Sequence, residues 1–78
     1  MNVIGVKHFS FNRKSDNKFL EGYEVLATYE DKYWDGVAGE HFTLWSDQVD
    51  RVGRAPAVGD EIVLSYNKYG KVTGYQIV

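Results

Sequence analysis

Tyr66, Lys68, Tyr69 and Lys71 all fall within the stretch Tyr66-Asn67-Lys68-Tyr69-Gly70-Lys71. Rings interleaved with cations suit one chemistry above others. Nucleobases stack on the rings while the ammonium groups neutralise phosphates, and each stacked base contributes roughly 1–3 kcal/mol. A second stretch, Arg13-Lys14-Ser15-Asp16-Asn17-Lys18-Phe19, repeats the pattern, with Arg13, Lys14 and Lys18 leading into Phe19. A third, Lys32-Tyr33-Trp34, is set among Glu30, Asp31 and Asp35 and suits a cationic ligand better. Other chemistries find less support. His8 and His41 have no second ligand at i+2 or i+4 of the kind a zinc site uses. The acids between 30 and 50 lack the order of a calcium loop, and no Lys-Ser/Thr follows Gly36-Val37-Ala38-Gly39 to make a phosphate loop. With no nucleophile–base pair, the expectation is a non-enzyme that uses neither metal nor cofactor.

The elements that must present these residues read as strands. Val58 to Val78 holds two period-2 runs, Glu61–Tyr66 and Lys71–Val78, joined by Asn67-Lys68-Tyr69-Gly70, whose glycine accepts positive φ. This hairpin carries the first aromatic–basic stretch at its tip. Asn2–Phe11 reads as a first strand, with Gly5 marking a bulge or sharp bend. Phe19–Tyr29 reads as a long second strand, and the second basic stretch is the polar loop between them. Glu30–Glu40 is expected to be a connecting loop, His41–Trp45 a short third strand, and Ser46–Val52 a helical turn with Ser46 as its N-cap. The core is expected from Ile4, Val6, Val25, Leu26, Phe42, Leu44, Ile62, Leu64, Val72 and Ile77.

Five strands with regular turn signals in 78 residues predict one all-β domain spanning 1–78, a small five-stranded barrel. The order of a bent first strand, a long second strand and a final hairpin favours an OB-fold-like barrel over an SH3-like one. No cysteine is present, so a disulfide framework is excluded. The start of the chain lacks the pattern of a signal peptide, and no apolar run reaches the roughly 20 residues of a membrane span. The expectation is a small cytoplasmic protein without a membrane partner.

Net charge is −2, the opposite of the basic footprint a nucleic-acid binder usually shows, but the charge is unevenly distributed. Residues 1–22 carry four cations against two acids, residues 51–78 the same, and residues 23–50 one cation against seven acids. If the ends of the chain pair, one basic side results, formed by both loops. The twelve aromatics make up 15% of the chain, more than so small a core needs. Some should therefore be exposed, or buried between two copies of a twofold dimer.

The order of features resembles the small OB-type single-stranded-DNA-binding proteins of filamentous phages, the gene V type. The basic loop ending in Asn17-Lys18-Phe19 and the hairpin tip with Tyr69-Gly70 carry that resemblance. It implies a five-stranded barrel, a symmetric dimer and cooperative coating of single-stranded DNA. The chain departs from the pattern in its acidic middle and its net negative charge. The expected binding residues are Arg13, Lys14, Lys18 and Phe19 from the loop, and Tyr66, Lys68, Tyr69 and Lys71 from the hairpin. The competing expectation is a protein-interaction module, in which Tyr33 and Trp34 hold a basic or proline-rich peptide. An assembly module with no small ligand is a third possibility.

Overall fold

A computed structural model describes residues 1–78 as β1 (Asn2–Arg13), β2 (Lys18–Tyr29), β3 (Ala38–Trp45), α1 (Ser46–Val52), β4 (Ile62–Tyr66) and β5 (Val72–Ile77). β1, β2 and β3 form one antiparallel sheet in that order, and β4 and β5 form a second. The two are joined at the start of β1. Val3 N–H donates to the Asp60 carbonyl at 2.9 Å, and Ile62 N–H donates to the Met1 carbonyl at 2.8 Å. An isolated bridge between Asn2 and Glu61 completes the junction. No ladder links β3 to β5. Gln48 of α1 spans that side instead, accepting from Trp45 N–H at 2.8 Å and donating to the Val72 carbonyl at 3.4 Å.

Gly5 marks an irregularity in β1, as its sequence context suggested. The register shifts between Val3 and Gly5, so that Val3 pairs with Ala27, Gly5 with Leu26, and Ile4 is the extra residue. Two core expectations fail as a result. Ile4 is 57% exposed because the bulge turns it out of the ladder, and Val3 occupies the core at 1%. Leu26 is 49% exposed because it stands opposite Gly5, while its neighbour Val25 takes the inward position. The core comprises Val3, Val25, Ala27, Phe42, Leu44, Ile62 and Tyr75, with Val6, Leu64, Val72 and Ile77 packed against it. Tyr75 was not expected inside. Its ring is buried and its hydroxyl reaches the Arg54 carbonyl, so the polar end is satisfied.

α1 forms where expected, but with a different cap. Trp45, not Ser46, occupies the N-cap position, and Gln48 supplies the side-chain acceptor for its N–H. Gly53 ends the helix at φ 104°, a conformation that glycine adopts freely, and returns its N–H to the Val49 carbonyl. The connection into β4 is shaped by Asp60. Its carboxylate accepts from Arg54 Nη1 and from Ala57 N–H, both at 2.8 Å. Those contacts, the Arg54 hydrogen bond first, hold the Asp60 carboxyl below its usual range.

Leu44 is fully buried in a core where only ten residues of the chain are buried, so Leu44→Ala should destabilise by about 2–5 kcal/mol in urea denaturation. Leu26→Ala should stay within about 1 kcal/mol of the unsubstituted protein, because the side chain it removes is half in solvent. For Asp60, a folded-state pKa below the unfolded one means the contribution is present above about pH 4 and is lost as pH falls. Asp60→Asn should therefore lower stability at neutral pH and flatten its fall on acidification, read from denaturation midpoints across an acid series.

Candidate functional site

The ladders sort the first sheet into an inner face on the core and an outer face with no element over it. From the bulge onward the outer face reads as a series of rungs. Gly5, Leu26 and His41 form the first, and Lys7, Glu24 and Thr43 the second. Phe9, Gly22 and Trp45 form the third, Phe11 and Leu20 the fourth, and Arg13 and Lys18 the last. β3 ends at the third of these. Beyond it β1 and β2 continue as a two-stranded arm of four residue pairs, about 13 Å long, that carries the Arg13–Lys18 turn at its tip.

Three aromatic rings meet on this face. Phe9 stacks on Phe11 with centroids 6.1 Å apart, and meets Trp45 edge-on at 5.5 Å. Gly22 makes that possible. A Cβ there would lie 2.7 Å from the Leu44 carbonyl oxygen and 3.0 Å from Phe9 Cζ, so the ring lies over a position that admits no side chain. Phe11 and Trp45 are both exposed. Phe9, Phe11 and Trp45 were not among the expected site residues. The i, i+2 spacing of the two phenylalanines was readable, but which face they shared with Trp45 depended on the register.

The expected loop residues take up definite roles. Arg13 is engaged within its own turn: its Nε donates to Asp16 Oδ1 at 3.0 Å and its Nη2 contacts Asp16 Oδ2. That pairing raises the guanidinium pKa and lowers that of Asp16. Asn17 takes positive φ, and Asp16 also accepts from Lys18 N–H, which closes the turn. Lys14 and Lys18 make no ion pair and are the free cations of the arm, as Lys7 is of the sheet. Phe19 is 58% exposed but pairs with Asn12, which puts it on the face of the arm opposite Phe11.

At the other hairpin, Asn67 organises the tip. Its side-chain oxygen accepts from Tyr69 N–H at 2.9 Å and from Lys71 N–H at 3.0 Å, while Gly70 takes positive φ. Tyr69 is 75% exposed, with Lys68 Nζ 5.1 Å above its ring. Tyr66 lies differently: its hydroxyl is 3.4 Å from Glu40 Oε2, and burial and then that carboxylate push the phenol up. The expectation of one basic side formed by both loops does not hold. Glu40 pairs with Ala27, nine residues along β2 from Lys18, so about 30 Å of strand separates the Tyr66 hydroxyl from the arm's turn. The acidic Glu30–Val37 connection begins at the far end of β2, where Tyr33 and Trp34 are both well exposed. The histidines form two separate pairs, His8 with Glu21 at 3.4 Å and His41 beside Glu24 at 3.8 Å.

No protein-family model, curated protein or solved structure matches this chain. The close approach at Gly22 gives a direct check on the aromatic arrangement. Gly22→Ala should destabilise the protein by about 1–3 kcal/mol, as overpacking does, and the change in tryptophan fluorescence should report displacement of Phe9 from Trp45.

Proposed function

We propose that this chain binds single-stranded nucleic acid along the outer face of β1, β2 and β3, as an OB-type barrel whose β3–β5 side is closed by Gln48 rather than by a ladder. The observation that carries the reading is the outer-face strip of half-buried Phe9 with exposed Phe11 and Trp45, on the same face as the unpaired Lys7 and Lys18, with Lys14 in the turn beyond. Rings supply sequence-tolerant stacking and the lysines supply counter-charge for the backbone. In OB-folds the sheet face and the loops after strands 1 and 4 are the usual ligand surface, which are the elements that carry these residues here. Tyr69 with Lys68 is a further contact at one margin, and Arg13, bound to Asp16, shapes the arm more than it contacts phosphate.

The acidic Glu30–Val37 connection does not oppose this reading. Lys18 and Tyr29 are the two ends of β2, about 36 Å of strand, so the acidic connection lies far beyond the roughly 8 Å over which salt screens exposed charges. The exposed Tyr33 and Trp34 beside Glu30, Asp31 and Asp35 support a second reading, in which that end holds a basic peptide. A twofold dimer belongs to the main proposal, and sedimentation with and without DNA tests it.

Titration of a labelled oligo-dT by fluorescence anisotropy at several salt concentrations separates the two contributions. Phe9→Ala or Trp45→Ala should weaken binding by about 1–3 kcal/mol with the salt dependence unchanged. Lys14→Ala or Lys18→Ala should weaken binding to every sequence and lower the salt slope by roughly 0.7. Absence of salt-dependent binding by the unsubstituted protein would overturn the reading and favour the peptide one.

A further inference from the structure

The outer face ends, on the side away from the arm, in a groove of about 360 Å³ lined by Gly5, Val6, Lys7, Glu24, Leu26 and His41. Its size falls within the range of small-ligand sites. It is continuous with the aromatic strip, because the Lys7–Glu24–Thr43 rung lies one step, about 7 Å, from the Phe9–Gly22–Trp45 rung on the same face. Its floor is apolar: Leu26 is half exposed and stands across from Gly5, which adds no side chain over it. Its polar groups are few and uncommitted. The Glu24 carboxylate receives no hydrogen bond, and His41 Nε2 lies 3.8 Å from it. Lys7 stands directly opposite Glu24 on β1 and forms no ion pair with it.

An ionised carboxylate accepts hydrogen bonds and donates none. A flat ring lying on Leu26 with its edge toward Glu24 must therefore present a donor there. Cytosine and adenine offer an exocyclic amino group and guanine offers N1–H beside its amino group, whereas thymine and uracil offer only N3–H, flanked by two carbonyl oxygens that the carboxylate repels. Resting on the single-strand reading above, we infer that this groove is a base-selective subsite in which Glu24 accepts from the amino group of a base that carries one, cytosine, adenine or guanine, and disfavours thymine and uracil. Lys7, on the same rung, meets the adjoining phosphate. His41 closes the β3 side of the groove, and the aromatic strip holds the next bases without regard to sequence. The chain then reads composition at one position while coating the rest of the strand.

The test compares the affinities of oligo-dC and oligo-dT, each about twenty nucleotides and so longer than the span of one OB domain. The unsubstituted protein should bind oligo-dC roughly tenfold tighter, the lower part of the range for a well-placed base contact. Glu24→Gln, whose amide both donates and accepts, should bring the ratio close to one without weakening oligo-dT binding. Glu24→Ala should do the same, and unchanged circular dichroism of both variants excludes loss of fold. Equal binding of the two oligomers by the unsubstituted protein overturns the subsite and leaves the single-strand reading standing. A preference that survives both substitutions shows that Glu24 is not the reader. Failure to bind either oligomer overturns both readings together.

Discussion

One backbone irregularity sets which residues this protein shows to solvent. With Val3 in the core, an unbroken β1 would carry Gly5, Lys7, Phe9 and Phe11 inward and leave Val6 and His8 outside. The extra residue at Ile4 reverses that parity for everything downstream, because side chains alternate strictly along a strand. Val6 then joins Val25 and Phe42 on the core side, while Phe9 and Phe11 emerge on the same face as Trp45. Ile4 is left in solvent, which an isoleucine would not otherwise favour. The aromatic strip is thus a consequence of the bulge as much as of the residues that compose it.

The strip places a second demand on the backbone at Gly22. Phe9 needs somewhere to lie, and the central strand provides it by having no side chain at the position across from it. The same glycine lets the Leu44 carbonyl approach closely, so the inner packing and the outer aromatic contact meet at one residue. Beyond that point the β1–β2 arm has no third strand, and its far end is tied by Asp16 drawing together Arg13 and Lys18 N–H.

Charge separation follows from the length of β2. A single twelve-residue strand carries a basic turn at one end and an acidic connection at the other, so the net charge describes neither end. The hairpin of β4 and β5 breaks the symmetry of that scheme. Its tyrosines diverge: Tyr69 is open to solvent under Lys68, whereas Tyr66 is drawn onto Glu40. Identical side chains three residues apart thus acquire different chemical roles from the neighbours the fold gives them.

The sequence by itself determined the strand count, the short helix, the terminal hairpin, the polar turn after the first strand and an irregularity at Gly5, because alternation, glycine and polar turns are local signals. It also singled out Lys14, Lys18 and Tyr69 as candidates, without separating them from Arg13 and Tyr66. It did not settle which side of each strand was buried, because the phase of β1 depended on a one-residue insertion whose effect appears only against Ala27 and Leu26. For that reason Ile4, which alternation alone assigns to the core, lies in solvent, and Phe9 and Phe11 form a surface with Trp45. Tyr66 and Arg13 escaped for a different reason. Their partners are a carboxylate 26 residues away in one case and the geometry of a turn in the other. Alternation along a strand is local information. Which face meets the core, and which cation is left unpaired, is decided by neighbours that only the tertiary structure brings together.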